Sequence, residues 1–252
     1  MRVMFLETET PEELQYGSCL AKRREYGIHV RDPYPETARS AIEQYNPDVI
    51  WWIGHGSPEV TTLRDKRVFI SIRTPEDVVK RLFGGRVVVA VSCYTARELG
   101  PYVAKYAFAY FGARDAYYFI ITPAGPCPQT TVSGVRYEVL YNASVCAFEP
   151  TLVLVDALRG GYHPVDAYKV CREKFEEYMR YFNSLTPVSD DEKSLKNLAL
   201  YILHIDYNIW VMIQGQGRPQ VRLVEPLTVL PAVFSFGMML SAFAYPKTEK
   251  GG

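Results

Sequence analysis

The chain has 252 residues, of which 48% are hydrophobic and 22% charged, which suits one substantial α/β domain with at most a short extension. Its 28 basic and 28 acidic residues balance, so the charge pattern expected of a nucleic-acid-binding protein is absent. The first apolar run ends at Glu7 and is too short for the core of a signal peptide, so we expect a cytoplasmic protein.

The first third of the chain alternates strand and helix patterns. Strands are predicted at 2–6, 28–30 and 48–53, with helices at 10–26 and 35–45 between them. The first helix opens with Thr10-Pro11-Glu12-Glu13, which has the pattern of a capping box. This alternation is typical of a parallel sheet covered by helices on both faces.

The middle of the chain continues the same alternation with one interruption. A small hairpin is predicted around Arg64-Asp65-Lys66, and a long irregular loop beside the cleft is predicted over 123–142, which is rich in Pro, Gly, Thr and Ser. The remaining predictions are a helix from Thr74 to the Gly84-Gly85 pair, a buried strand over 86–92, a helix over 99–111 and a buried strand over 116–122.

The last part of this region is predicted to be mainly helical. A strand is predicted at 151–155, and an amphipathic helix opens at His163-Pro164 with Val165, Tyr168, Cys171, Phe175, Tyr178 and Phe182 on its apolar face. Ser189-Asp-Asp-Glu192 is a second capping box for a helix to about 203, followed by a strand over 208–214 and Gly215-Gln-Gly217. We therefore predict an α/β domain over 1–217, a three-layer sandwich with a mostly parallel central sheet.

Residues 218–252 are predicted to be an apolar C-terminal extension of unknown role. The stretch 227–244 carries no charge, and its length is near the lower limit for crossing a bilayer. Pro231 and Gly237 lower its hydrophobicity. Burial in the domain or against a protein partner or second copy is the first interpretation, and a membrane tail anchor is the alternative.

Five cysteines are scattered along the chain, and no CxxC pair appears that would indicate a zinc site or a disulfide framework. Cys19, Cys146 and Cys171 are interpreted as core residues, and Cys127 in the proline-rich loop as an exposed residue without an assigned role. Few Asn and Gln beside many Tyr and Val indicate a thermophilic source, in which an internal disulfide can persist.

Two of the predicted buried strands end at chemically reactive residues. The run 48–54 leads into His55-Gly56, and the run 86–92 leads into Cys93. In open α/β sheets the ligand crevice lies outside the carboxyl ends of the strands, so we expect the imidazole and the thiol to meet in one cleft. Other histidines, at 29, 163 and 204, are interpreted as structural.

This pair of residues suits nucleophilic catalysis by a thiol. The imidazole of His55 can take the proton of Cys93 and later pass it to a leaving amine. The backbone amides of Gly56 and Cys93 are candidates for an oxyanion hole, because Gly56 has no side chain to obstruct a substrate carbonyl. Such chemistry needs no metal and no organic cofactor.

These motifs resemble the caspase-like clan of cysteine peptidases (clan CD), and in particular its CHAT-type branch, which is related to separase and the gingipains. The matching runs are Ile-Gly-His55-Gly56-Ser, Val-Val-Ala-Val-Ser92-Cys93-Tyr-Thr-Ala, Tyr110-Phe-Gly112-Ala113, the run from Ala157 to Gly161 and Trp210-Val-Met-Ile-Gln-Gly215. The resemblance covers about residues 48–217. It implies a caspase-like fold, His55 as general base, Cys93 as nucleophile and the Gly56 and Cys93 amides as oxyanion hole.

One position departs from the pattern. Metacaspase-like members carry an acidic residue two positions before the nucleophile, where this chain has Val91. The substrate residue before the scissile bond is therefore left open. The first hypothesis is a thiol endopeptidase acting on polypeptides, and the alternative is a catalytically silent caspase-like scaffold, which the branch also contains. A Rossmann-like or flavodoxin-like enzyme is a weaker alternative, because no strand leads into a Gly-rich phosphate loop that opens a helix.

Overall fold

A computed structural model describes residues 1–132 and 134–219 of the chain. The strands are β1 (Val3–Glu7), β2 (Ile28–Arg31), β3 (Val49–Ile53), β4 (Val60–Thr62), β5 (Val68–Ser71), β6 (Val87–Val91), β7 (Ala109–Ala113) and β8 (Trp210–Gln214). The helices are α1 (Gln15–Ala21), α2 (Pro35–Tyr45), α3 (Glu76–Phe83), α4 (Leu99–Ala104), α5 (Tyr137–Val145), α6 (Glu149–Arg159), α7 (Pro164–Ser184) and α8 (Asp190–Ile209). Two 3₁₀ turns, Glu12–Leu14 and Arg64–Lys66, complete the set.

Six strands form one mixed sheet in the order β2-β1-β3-β6-β7-β8, and β4 pairs with β5 as a separate antiparallel hairpin. All neighbours in the main sheet are parallel except β7 and β8. The prediction of an α/β fold with a mostly parallel sheet is therefore confirmed. The chain leaves β1 toward β2 on one side and returns to β3 on the other, so the topological switch point lies between β1 and β3.

The strands β1, β3, β6, β7 and β8 contribute side chains to two cores, because successive residues point to opposite faces. Trp51 lies in the core under α1 and α5 to α8, whereas Trp52 lies in the core under α2, α3 and α4. Both indoles are fully buried, and each indole N–H has a threonine acceptor. The continuous apolar runs of β3 and β6 are thus explained by burial on both faces.

The prediction was wrong for the segment after α4. The predicted helix over 99–111 ends at Ala104, and Ala109–Ala113 is instead strand β7, while the predicted strand over 116–122 has no regular structure. Tyr110 and Phe111 are fully buried between β6 and β8, and aromatic side chains suit such a central strand. The apolar pattern of this segment fits both a helix and a strand, and its pairing with β6 and β8 selects the strand.

Three smaller predictions also needed correction. Residues 151–155 belong to helix α6 rather than to a strand, and α5 begins inside the predicted loop over 123–142. The first capping box does not form, because Thr10 Oγ1 donates to Asp32 Oδ2 at 2.9 Å instead of capping a helix. By contrast, the second one is confirmed: the Ser189 hydroxyl accepts from the Glu192 amide at 3.1 Å, and α8 runs beyond the predicted end to Ile209.

A disulfide joins Cys19 in α1 to Cys127 in the loop before α5. The interpretation of Cys19 as a core thiol and of Cys127 as exposed was therefore wrong, since Cys127 is only 8% exposed. Cys146 and Cys171 are fully buried free thiols, as predicted. The bridge spans 108 residues. In the chain-entropy description a closed loop of this length stabilises the fold by about 4–5 kcal/mol.

No single helix in the described part of the chain has the length and hydropathy of a membrane span; the pair α5 and α6, bent by 67°, passes that test only in combination. The predicted apolar stretch 227–244, with the rest of 220–252, lies outside the described residues.

Candidate active site

The two sequence-predicted residues follow neighbouring strands. In the pairing of β3 with β6, Ile53 lies opposite Val91, and the Gly54 amide donates to the Val91 carbonyl at 3.2 Å. His55 and Cys93 each come two residues after this matched pair. The strand alternation directs Ile53 and Val91 to the core under α1 and α5 to α8, and Cys93 continues on that face. The register therefore places both residues just beyond the carboxyl ends of adjacent strands, and the meeting of their side chains in one cleft stays a prediction.

The loops that carry the two residues are in direct contact at Gly56. A Cβ atom at this position would lie 2.4 Å from the carbonyl oxygen of Cys93 and 3.0 Å from Cβ of Ser92. Only glycine fits there, since the nearest obstacle is backbone. Within the described residues, the amides of Gly56 and Cys93 donate to no acceptor of another residue, so both are available to a ligand oxygen.

The hydroxyl of Thr61 on β4 holds these loops together from the opposite face of the sheet. It accepts from Trp52 Nε1 at 3.2 Å, contacts Ser92 Oγ at 3.1 Å and donates to the His55 carbonyl at 3.2 Å. Thr61 is fully buried. Its hydroxyl thereby uses its one donor and two acceptor sites. The hairpin consequently fixes the backbone of His55 relative to the residue before Cys93.

The thiol of Cys93 lies against the backbone of Tyr117. The Tyr117 amide donates to Sγ at 3.3 Å, and Sγ lies 3.8 Å from the Tyr117 carbonyl oxygen. Burial raises the pKa of the Cys93 thiol, the Tyr117 amide lowers it, and the charges of Asp206 and Asp115 raise it further. The net direction is upward, so the resting thiol is protonated near neutral pH and needs a base before it can attack.

The residue after the nucleophile has a strained backbone. Tyr94 has φ of 60°, in the left-handed region that side chains other than glycine rarely adopt, and its amide donates to the Asp115 carbonyl at 3.0 Å. Strain of this kind costs about 1–3 kcal/mol and is concentrated at functional sites. The Cys93 amide lies beside its own thiol and lowers the pKa of that thiol.

The imidazole of His55 meets a carboxylate that sequence reasoning missed. Glu13 Oε1 lies 3.3 Å from His55 Nε2, and the two side chains are 35% and 36% exposed. Nε2 itself is shielded from solvent, and the contact is not aligned as a hydrogen bond. Among the described residues no hydrogen bond joins the imidazole to the Cys93 thiol, and each group has a different neighbour.

Glu13 was predicted as part of a helix cap. Its position in the loop at the topological switch point was the signal that could have identified it as a site residue. The loop after β1 must pass the end of β3, so an acidic residue in that loop is a candidate neighbour of His55. Thr61 gave no such signal, because a threonine in a short hairpin strand is ordinary.

A buried carboxyl lies behind the thiol. Asp206 on α8 is fully buried, its Oδ1 accepts from the Tyr118 amide at 3.1 Å, and its Oδ2 has no partner among the described residues. Burial raises the pKa of Asp206 well above the ordinary value, against the opposing effect of the Tyr118 amide. Consecutive amides therefore bind the thiol and this carboxyl, which anchors residues 117–118 beside Cys93.

The described residues contain no group of three or more His, Cys, Asp or Glu side chains that could hold a metal ion. No protein-family model matches this chain, and no curated protein matches it either. The resemblance to the caspase-like clan therefore rests on the motifs alone.

Proposed function

We propose that this chain is a cysteine endopeptidase of the caspase-like clan, with residues 1–217 as the catalytic unit and a polypeptide as substrate. The observation that carries the proposal is the contact between the His55-Gly56 loop and the Ser92-Cys93 loop at the carboxyl ends of adjacent parallel strands. A cytoplasmic location and a mechanism without metal or organic cofactor belong to the same proposal.

The arrangement supports acyl transfer through a thioester. Cys93 Sγ attacks the carbonyl carbon of the scissile bond while its proton passes to the His55 imidazole. The oxyanion that forms accepts hydrogen bonds from the free amides of Gly56 and Cys93. The imidazolium then protonates the leaving amine, and a water molecule activated by His55 hydrolyses the thioester to release the acid and the thiol.

The proposal is tested by covalent labelling and by cleavage of a mixed peptide library. Cys93 is expected to react with iodoacetamide and acyloxymethyl ketones in preference to the buried thiols of Cys146 and Cys171. Cys93→Ser is expected to abolish both labelling and cleavage, with Cys146→Ser as the matched control. Labelling spread evenly over the three thiols, or cleavage that survives Cys93→Ser, contradicts the peptidase.

A catalytically silent caspase-like module is the second candidate. It is favoured by one observation: the His55 imidazole lies beside Glu13 and the Cys93 thiol accepts from the Tyr117 amide, and no hydrogen bond joins the two groups among the described residues. Such a module would retain the fold and bind a partner or a second copy through another surface. The apolar stretch 227–244 is the predicted contact region. An unchanged monomer in size-exclusion chromatography, both for the full chain and for a chain ending at Gly217, would contradict this candidate, whereas library cleavage would support the peptidase.

A further inference from the structure

The segment between β7 and α5, residues 114–136, covers the thiol side of the site. Its described residues contain no regular helix or strand. Near its start, the Asp115 carbonyl accepts from the Tyr94 amide, and the Tyr117 amide donates to the Cys93 thiol. Its order therefore determines how far Cys93 is shielded.

The same segment is attached to α1 by three contacts. Tyr16 OH donates to the Thr122 carbonyl and accepts from the Thr122 amide, both at 2.9 Å. The rings of Tyr16 and Phe119 pack with their centroids 6.0 Å apart. The third contact is covalent, the disulfide between Cys19 and Cys127.

Helix α1 also borders the other half of the site. It follows directly on the 3₁₀ turn that carries Glu13, the carboxylate beside His55. The disulfide thus joins the element next to the imidazole to the segment next to the thiol.

We propose that the Cys19–Cys127 disulfide is a redox-operated clamp: when oxidised it holds the 114–136 segment over Cys93, and reduction releases the segment and frees the thiol. This inference rests on the proposed function, because the regulated group is its nucleophile. It also fits the chemistry, since a thiol enzyme that opens under reducing conditions is active where its own nucleophile stays reduced.

The chemical step is thiol–disulfide exchange with a dithiol reductant. One thiolate of the reductant attacks Cys19 Sγ, the sulfur on the partly exposed residue, and Cys127 leaves as a thiolate and takes up a proton. The second thiol of the reductant then attacks the mixed disulfide, which releases Cys19 as a thiol. The protein gains two electrons and two protons, and the reductant ends as a cyclic disulfide.

Two properties of the segment favour release once the covalent bond is cut. Cys127 has φ of 49°, a left-handed backbone conformation that a non-glycine residue adopts only under constraint. Its other contacts to α1 are one pair of hydrogen bonds and one ring contact. Tyr117 and Tyr118 are also bound to the Ala147 carbonyl and to Asp206, so release must loosen these contacts as well. Burial is the largest cause of the raised pKa of the Cys93 thiol, and opening the segment removes part of that burial together with the Tyr117 amide, which lowers the pKa.

The test compares the full chain before and after dithiothreitol treatment, followed by removal of the reductant under argon. A non-reduced peptide map first shows whether Cys19 and Cys127 are linked. Hydrogen exchange of the Tyr117, Tyr118 and Thr122 amides and the rate of Cys93 alkylation by iodoacetamide are then measured. Reduction is expected to raise both severalfold, because release of the segment exposes these amides and removes part of the burial that shields the Cys93 thiol.

Two variants serve as internal controls. The double variant Cys19→Ser/Cys127→Ser is expected to show the fast exchange and fast alkylation without any reductant. Cys146→Ser, which leaves the bridge intact, is expected to keep the response to dithiothreitol. Should the double variant not fold, the chemically reduced wild type still gives the decisive comparison.

The outcomes separate the clamp from the peptidase. An unlinked Cys19 and Cys127, or unchanged exchange and alkylation after reduction, overturns the clamp whatever the chain's activity. Faster exchange and alkylation after reduction with no cleavage of any peptide supports the clamp and counts against the peptidase.

Discussion

The buried hydroxyl of Thr61 offers the most direct test of how the site is organised. Thr61→Val keeps the shape of the side chain and removes three hydrogen bonds. The Trp52 indole N–H loses its acceptor in a fully buried position, and the Ser92 hydroxyl loses its partner. The His55 carbonyl is still served by the Thr62 amide at 2.9 Å.

The cost follows from these two orphaned groups. Each unsatisfied buried polar group costs about 1–3 kcal/mol, so we expect Thr61→Val to lower the free energy of unfolding by about 2–6 kcal/mol. Because the hydroxyl also sets the position of His55 relative to Ser92, the rate of Cys93 alkylation at pH 7 should change together with stability. Urea denaturation followed by fluorescence gives the first quantity, and mass spectrometry of the Cys93 peptide gives the second.

Thr62→Val is the matched control for this substitution. Its hydroxyl makes one long contact of 3.4 Å with the His55 carbonyl and is partly exposed, so we expect a change within about 0.5 kcal/mol. Equal losses from the two substitutions, or a loss below about 1 kcal/mol for Thr61→Val, would refute the reasoning that this one hydroxyl ties the two loops together.

Three further predictions concern charges in and around the fold. Glu13→Gln should slow Cys93 alkylation about three- to tenfold at pH 7, because the imidazole of His55 loses the carboxylate that orients it. Glu13→Asp should recover part of the rate. An unchanged rate in Glu13→Gln would show that Glu13 has no role in the site. Asp115→Asn should raise the alkylation rate at neutral pH by about two- to threefold, since its charge is one of the causes that raise the pKa of the Cys93 thiol; a slower rate would contradict that sign. The hydrogen bond from the Arg136 side chain lowers the pKa of Glu192 from 4.5 to about 2. Its contribution to stability is therefore present above pH 4.5 and lost as the pH falls through 2, so urea denaturation of Glu192→Gln over this range should show a shallower loss of stability than the wild type.

Several elements could be predicted because local chemistry specifies them. Helix α2 spans the predicted residues, with Pro35 at its first position and Asn46 in the left-handed conformation at its end. The Ser189 cap is equally local. Strands β3 and β6 are apolar on both faces, a pattern that central strands of a parallel sheet require.

Other elements could not be predicted, because the deciding partner is distant in sequence. Residues 109–113 carry an apolar pattern that fits either a helix or a strand, and only the pairing with β6 and β8 selects the strand. Thr10 matches a helix cap, but Asp32 on another element takes its hydroxyl. The partner of Cys19 lies 108 residues away, and no spacing rule identifies it.

By itself, the sequence determined that His55 and Cys93 end two buried strands, since a run of apolar residues and the polar residue that stops it are local properties. Only the tertiary structure decided that these strands are neighbours in register, that Glu13 faces the imidazole and that Tyr117 covers the thiol. The reason is physical: strand order, loop docking and the Cys19–Cys127 bridge are set by packing between segments far apart in the chain, and the free energy of that packing is not encoded within any one of them.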